Sequence, residues 1–231
     1  MTLIVGVKAD HAIILASDSR GTIGDPRGLT AINDNQIKLF KLGSCGLGIA
    51  GASEMGAVLL DELLKSDCNS VKNIDEAVTK VVKKCADMFA GWFRDIQPAQ
   101  RPAVLMTLAG YRFVEGRAPQ PMIYLLNSQI NFAPQLMGDS PCLSGIPQYA
   151  VYLVHRYYTP NITVDKAKAL AEYLIAETAS QDPKVGGRIF LAIITPEKGY
   201  EALSEKEIID IHKSNDSLNK ELRNFFLTGG A

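Results

Sequence analysis

The sequence has 231 residues, of which 47% are hydrophobic and 21% are charged, a balance typical of soluble globular proteins. This length predicts one large domain or two small ones, with a core large enough to need no stabilising crosslinks. The formal net charge of −1 at pH 7 argues against a nucleic-acid-binding protein, because such proteins rely on an excess of basic residues.

The N-terminal part of the sequence predicts β-structure. Two apolar runs, residues 2–7 and 11–17, are separated by a short polar turn and predict a hairpin. Residues 21–28 contain three glycines and a proline and predict a loop. The alternating segment 36–42 and the glycine-containing run 46–50 predict two more strands.

The spacing of apolar residues then changes to that of helices. Residues 53–65 and 74–93 predict an amphipathic pair, the first with Ser53 as its N-cap. Strand signals return afterwards. The predicted strands cover residues 103–109, 121–126 and 132–137.

The last third of the sequence predicts two helices, 147–158 and 163–180, with Thr163 capping the second. A strand over 188–195 and a strongly charged helix over 204–226 follow. Strands and helices are therefore grouped along the chain and do not alternate. This grouping favours an α+β fold of antiparallel sheets packed with helical layers over a parallel βαβ sheet.

No internal repeat or linker divides the sequence, so we predict a single domain over residues 1–231. No basic segment precedes the first apolar stretch, as a signal peptide would require. No apolar run approaches the roughly 18 residues of a membrane span. We therefore expect a cytoplasmic protein with no membrane partner.

The cysteines show no Cys-x-x-Cys pair, and no histidine lies at zinc-ligand spacing from them. This pattern predicts buried or partly buried thiols in a reducing compartment. We expect no metal and no cofactor. The four cysteines are Cys45, Cys68, Cys85 and Cys142.

Two short motifs are interpreted as structural. The glycines Gly46, Gly48 and Gly51 fit the dinucleotide-binding pattern G-x-G-x-x-G. That site requires the following helix to return to a parallel strand within about 30 residues, whereas a second helix is predicted here. The glycines therefore indicate close packing. The sequence Gly-Asp-Ser at 138–140 is found in some esterases, which need a histidine base.

The histidines do not support such an esterase. His155 lies in a predicted helix and His212 in the charged C-terminal helix, and the third is His11. We interpret residues 138–140 as a loop turn. If the protein is a hydrolase, its general base is then expected to be a group other than histidine.

The chain terminus can supply such a base. The small size of Thr2 allows the removal of Met1, which would leave a free α-amine beside the Thr2 hydroxyl. The α-amine has a reference pKa of about 7.7–8.0 and can accept the hydroxyl proton directly or through a water. Many chains begin with Met-Thr for no functional reason, so this interpretation depends on the residues that follow.

Those residues resemble the proteasome β-subunit family of N-terminal nucleophile hydrolases, which includes the bacterial peptidase HslV. The resemblance rests on the segments TLIVGVK, ILASDSRGT, IKLFKL and IAGAS, which occur in the family's order. It covers nearly the whole chain in element order and is most specific over residues 2–52. It implies an αββα sandwich, with two antiparallel sheets between helical layers.

The resemblance also implies a catalytic set. Thr2 would be the nucleophile, Lys38 an ammonium beside its hydroxyl, and Asp18 the partner of Lys38. The N–H of Gly51 would stabilise the oxyanion of the tetrahedral intermediate. Arg20 would brace the adjacent loop. The alternatives are an ordinary structural ion pair for Asp18 and Lys38 and a solvated charge for Arg20.

The more distant matches are less specific. Ser144 and Asp182 correspond to a serine and an aspartate of the family's catalytic network, but each is equally well explained as a helix cap. A serine of that network falls on Val185, so one hydroxyl is missing. The loop before Lys38 is longer than in the family. Ile49 is expected to form an apolar wall of the specificity pocket.

The predicted function is a threonine-type endopeptidase. The resemblance implies peptide or unfolded-protein substrates and homo-oligomeric rings or stacked rings, with α-type subunits or an ATPase unfoldase as possible partners. A chain that starts at its first strand favours the catalytic β type. Two alternatives stay open: a non-catalytic structural or regulatory ring subunit, if Met1 is retained, and an amidase or transpeptidase acting on another amide.

Overall fold

The computed structural model describes residues 2–24 and 30–227. In chain order, the strands are β1 (Leu3–Lys8), β2 (Ile13–Asp18), β3 (Gly21–Gly24), β4 (Thr30–Asn33), β5 (Leu39–Leu42), β6 (Cys45–Gly51), β7 (Val104–Arg112), β8 (Gln120–Asn127), β9 (Gln135–Leu136), β10 (Cys142–Gly145), β11 (Ile189–Thr195) and β12 (Gly199–Ala202). The helices are α1 (Ser53–Lys65), α2 (Ile74–Trp92), α3 (Gln148–Tyr157), α4 (Val164–Gln181) and α5 (Glu205–Leu227).

Two five-stranded sheets stack face to face. The first has the order β10-β1-β2-β11-β12 and the second the order β5-β6-β7-β8-β9. Every pair of neighbouring strands in the described residues is antiparallel. Helices α3, α4 and α5 pack on the first sheet, and α1 and α2 on the second. The predicted α+β sandwich with αββα layers is confirmed.

The central strands are buried on both faces, which explains their continuous apolar sequences. In β1, Leu3 and Val5 face the helical layer, whereas Ile4 faces the second sheet. The sheets approach closely because β6 has glycines on its inner face. A Cβ on Gly48 would lie 2.7 Å from Cγ2 of Ile4. The structure thus supports the packing interpretation of the G-x-G-x-x-G segment.

The loop predicted over residues 21–28 is partly wrong. Gly21–Gly24 is strand β3, which pairs with β4 in a separate two-stranded hairpin. The segment is a strand because β4 pairs with it through backbone hydrogen bonds, and the local glycine content does not reveal this partner. Residues 25–28 of the predicted loop lie outside the described residues.

Of the two predicted helix caps, Ser53 is wrong and Thr163 is confirmed in its position. Helix α1 has Ala52 as its N-cap and no side-chain capping bond, while Ser53 is its first helical residue. Thr163 is the N-cap of α4, but its side chain makes no capping hydrogen bond. A hydroxyl in the right sequence position caps a helix only when its rotamer reaches the free N–H groups.

Several strand boundaries also differ. Strands β10 and β12 were not predicted, and the predicted strand 132–137 is reduced to Gln135–Leu136. These short strands form because a neighbouring strand is available, which local sequence does not reveal. The predicted strand 36–42 begins only at Leu39.

All four cysteines are free and buried, as predicted. Burial raises the pKa of Cys45 to about 12 and that of Cys142 to about 11, so these thiols are unreactive at neutral pH. Among the described residues, no helix is long and apolar enough to cross a membrane.

Candidate active site

A fully buried carboxylate, that of Asp18, lies at the end of β2. Its Oδ1 accepts hydrogen bonds from Lys38 Nζ at 2.9 Å and from the N–H of Leu3 at 3.1 Å. Its Oδ2 accepts from the N–H groups of Arg20 and Gly186, both at 3.1 Å. Four donors from four parts of the chain therefore hold this side chain in one orientation.

Lys38 lies just before β5 and is 4% exposed. Besides Asp18, its ammonium donates to the carbonyl oxygen of Arg20 at 2.7 Å. Burial lowers the pKa of Lys38, and the charge of Asp18 acts in the opposite direction. A buried cation of this kind favours the deprotonated form of any hydroxyl or amine close to it.

Thr2 is held at the start of β1 by its main chain. Its carbonyl oxygen accepts a hydrogen bond from the N–H of Ile146 at 2.9 Å. Gly145 lies against it with a φ of +97°, and a Cβ there would overlap that carbonyl. Thr2 itself is 6% exposed. The position of Thr2 is thus fixed by β10 on one side and, through Leu3 and Asp18, by β2 on the other.

Thr2 and Lys38 line one cavity of about 260 Å³, together with Ile49 and Gly51. Gly51 has a φ of +101°, and a Cβ on it would overlap the carbonyl oxygen of Ala103. Only glycine fits this position, because any other residue would combine a strained φ with a clash against the main chain at the start of β7. The rest of the wall is formed by Gln36, Ile37, Phe40, Ala50, Ala52, Ser53, Gly56, Ala57 and Leu60. It is largely apolar.

Arg20 is placed by its side chain. Its Nε and Nη2 donate to the two carboxylate oxygens of Asp34 at 2.7 and 2.9 Å, and Nη1 donates to the carbonyl oxygen of Pro183 at 3.0 Å. This bidentate contact raises the pKa of Arg20 and lowers that of Asp34. Arg20 thus joins two loops and is not a solvated charge.

The distal residues do not line the Thr2 cavity. Ser144 lies in β10, not at a helix N-cap, and its Oγ is 2.9 Å from Oγ1 of Thr107 in the opposite sheet. Asp182 is the residue at which α4 ends, and its Oδ1 accepts from the N–H of Lys184 at 2.9 Å. Val185 is buried in the core beneath the helices.

Sequence reasoning missed two partners of this site, Asp34 and Gly186. Both lie in loops, and Gly186 is 168 residues away from the carboxylate that it binds. No local pattern marks such a contact. The positive φ of Gly186, +153°, is consistent with its glycine, and the Gly-Gly pair at 186–187 was the one available signal.

Other candidate groups lie elsewhere. Nδ1 of His212 on α5 is 2.6 Å from Oε1 of Glu172, a fully buried carboxylate on α4. This contact helps to attach α5 to α4. Asp139, Ser140 and His155 border a separate cavity, but no hydrogen bond joins the serine to the histidine in the part of the chain that is described. Nor do the described residues contain three metal-ligating side chains placed around one point.

The fold is that of the proteasome-like N-terminal nucleophile class. The sequence profile of the family described as "Proteasome subunit" matches residues 2–194, and the chain belongs to this family. A relative described as "Proteasome subunit beta", from Picrophilus torridus, is 22% identical over 209 residues, which cover 90% of this chain and 92% of the relative.

Solved structures show the same fold. The chain is similar to Anbu (ancestral beta-subunit) from Yersinia bercovieri, with a TM-score of 0.71 and 16% identity over 99% of this chain and 98% of that one. It is also similar to the protein in the helical assembly of the Anbu complex from Pseudomonas aeruginosa. There the TM-score is 0.76 and the identity 16%, over 99% of this chain and 97% of that one.

Proposed function

We propose that the protein is a threonine-type endopeptidase whose mature chain begins at Thr2. The observation that supports this most is the cavity that Thr2 shares with the buried ammonium of Lys38. Asp18 keeps that ammonium in place. Membership of the proteasome subunit family supports the same reaction.

In the proposed mechanism, removal of Met1 frees the α-amine of Thr2. The amine takes the hydroxyl proton, and Oγ attacks the carbonyl carbon of the scissile peptide bond. Lys38 stabilises the developing alkoxide, and the N–H of Gly51 donates to the oxyanion. Such a donor contributes about 2.7–4 kcal/mol to transition-state stabilisation.

Collapse of the intermediate breaks the C–N bond, and the proton held by the α-amine passes to the leaving amine. The product is an ester between Thr2 Oγ and the acyl part of the substrate. A water then gives a proton to the α-amine and attacks the ester, which releases a carboxylic acid and regenerates the hydroxyl. No metal or cofactor enters this sequence.

The apolar wall of the cavity supports a preference for apolar side chains next to the scissile bond. Ile49 contributes to that wall, with Phe40 and Leu60. Burial of such a side chain contributes about 1.5–3 kcal/mol to binding. We therefore assign the acyl side of the substrate to this cavity.

We further propose that the chain is a single domain that works in the cytoplasm as a homo-oligomeric ring or stacked rings. Peptides or unfolded proteins, delivered by an ATPase unfoldase or through α-type subunits, would be the substrates. The related chain from Pseudomonas aeruginosa forms a helical assembly, which supports self-association of this fold.

Two other functions predict different products. A retained Met1 would place the Thr2 nitrogen in a peptide bond and leave the hydroxyl without its base, as in a non-catalytic ring subunit. An amidase or transpeptidase would form the same ester but act on another amide or pass the acyl group to an amine. A panel of peptides with and without amine acceptors separates these reactions.

The decisive experiment is the intact mass of the protein from its native host, before and after treatment with an epoxyketone. We expect the mass of the chain from Thr2 onwards and a single adduct, absent in Thr2→Ala. Retention of Met1, or its removal without an adduct, would favour the non-catalytic subunit.

A further inference from the structure

We propose that Asp34 is a positioning residue of the peptidase site and acts through Arg20 on the Asp18–Lys38 pair. The proposal rests on the function assigned above to Thr2. It concerns a residue that does not line the Thr2 cavity and that sequence comparison with the family did not indicate.

The main chain of Arg20 is part of the site. Its N–H donates to Oδ2 of Asp18 at 3.1 Å, and its carbonyl oxygen accepts from Nζ of Lys38 at 2.7 Å. One residue thus binds both members of the buried pair. A displacement of this backbone would move the carboxylate and the ammonium relative to Thr2.

The side chain of Arg20 fixes that backbone from outside. Asp34 binds the guanidinium through both carboxylate oxygens, at 2.7 and 2.9 Å. A bidentate pair restricts the guanidinium in its own plane as well as in distance. Because both side chains are partly exposed, the pair is expected to add little to global stability. Its effect is on local geometry.

Asp34 also holds the neighbouring residue. Its carbonyl oxygen accepts a hydrogen bond from Oγ of Ser19 at 2.6 Å, and the same Oγ accepts from the N–H of Arg188 at 2.6 Å. The N–H of Ser19 donates to the carbonyl oxygen of Gly186 at 3.1 Å. Asp34 therefore contacts both residues that follow Asp18.

These contacts close a ring that returns to the catalytic carboxylate. Gly186 donates its N–H to Asp18, and a Cβ on Gly186 would lie 2.8 Å from Cζ of Arg20. Asp182, the acid that the family resemblance suggested for this region, instead accepts from its own loop. In this chain the acidic partner of Arg20 is Asp34, in the segment before Lys38.

The test compares Asp34→Asn and Asp34→Glu with Asp61→Asn. The control removes an exposed carboxylate that pairs with Lys65 on α1. We would measure kcat and KM for a fluorogenic peptide, the rate of epoxyketone addition to Thr2, and Tm. Asp34→Asn should lower kcat and the addition rate about tenfold, which is less than the roughly 100-fold loss that a misplacement of about 1 Å can cause.

KM and Tm should change little, Asp34→Glu should recover most of the activity, and Asp61→Asn should match the wild type. Unchanged kcat and addition rate in Asp34→Asn would overturn the proposal. So would a loss confined to KM, or one fully explained by a fall in Tm.

A double variant tests whether the effect passes through Arg20. If it does, Arg20→Gln combined with Asp34→Asn should be no slower than Arg20→Gln alone, because the single change has already removed the contact. Losses that multiply would show that Asp34 acts independently of Arg20, and would contradict the proposal.

Hydrogen exchange separates this proposal from the proposed function. Asp34→Asn should speed deuterium uptake in the segments 18–20 and 183–188, and Asp61→Asn should not. A wild-type protein that neither cleaves peptides nor forms the adduct contradicts the proposed function. In that case the deuterium uptake of Asp34→Asn in these two segments is the test of the positioning proposal, and uptake equal to that of the wild type would refute it.

Discussion

Lys38 Nζ lies 2.9 Å from Asp18 Oδ1, and both side chains are almost completely buried. Bringing two such charges out of water is costly, and apolar residues of similar volume often give a protein that is equally stable or more so. Stability alone therefore explains this pair poorly. Its place beside the Thr2 cavity, with the Arg20 main chain bound to both partners, favours a role in chemistry.

Replacing Lys38 with methionine should destroy activity and also destabilise the fold. The change leaves Asp18 as a buried carboxylate without its cationic partner, a loss that costs about 3–5 kcal/mol. Urea unfolding and peptide hydrolysis measure the two effects. Adding Asp18→Asn to this variant should recover part of the stability and none of the activity. A stable, active Lys38→Met protein would refute the assignment.

Gly51→Ala should destabilise the protein while Gly91→Ala should not. Alanine at 51 combines a φ of +101° with overlap of the Ala103 carbonyl, and such backbone strain alone costs about 1–3 kcal/mol. Gly91 is in helix α2 with no atom within 4 Å of an added Cβ, so alanine there should stabilise by up to about 1 kcal/mol. Thermal unfolding distinguishes the two, and equal Tm shifts would contradict the geometry.

The width of the Thr2 cavity should set the substrate preference. Gly56→Ala would place a Cβ 2.9 Å from Cγ2 of Ile49 and narrow the wall, whereas Ile49→Ala would widen it. One methylene in an apolar pocket changes selectivity about 10- to 200-fold. For peptides with Val, Leu or Phe before the cleaved bond, kcat/KM should therefore shift towards the smaller side chain in Gly56→Ala and towards the larger one in Ile49→Ala. An identical ranking would show that the acyl side chain binds elsewhere.

Acid stability should depend on Asp75. Its carboxylate accepts from Nε and Nη2 of Arg112 at 2.6 and 2.8 Å, and this contact lowers the pKa of Asp75 below its usual 3.8. As the pH falls, Asp75 is therefore protonated in the unfolded chain at a higher pH than in the folded protein. The contribution is therefore complete above pH 5 or so and is lost as the pH falls through the lowered pKa.

Unfolding free energies of the wild type and Asp75→Asn should accordingly differ by a constant amount from about pH 5 to 7 and converge at lower pH. Asp87→Asn, on the same helix, serves as the control. A difference that grows on acidification would mean that the contact with Arg112 does not stabilise the ionised form.

Much of the fold could be predicted because its signals are local. The apolar runs of β1 and β2 and the helical spacing of α1 and α2 lie within single segments, so periodicity identified them. Thr2, Asp18 and Lys38 were selected for the same reason, since all lie in the short segments that resemble the family. The hairpin β3–β4 and the strands β10 and β12 were not predicted, because each of these short strands depends on pairing with a partner strand.

The sequence by itself determined the five helices, most of the longer strands, the grouped order that favours antiparallel sheets, and the candidate residues Thr2, Asp18 and Lys38. Tertiary structure decided which groups meet. Asp34 contacts Arg20, and Gly186 contacts Asp18, because the fold brings their loops together at one end of β2. Helical and strand periodicity reflects local geometry, whereas such contacts join residues far apart in sequence and leave no periodic trace in it.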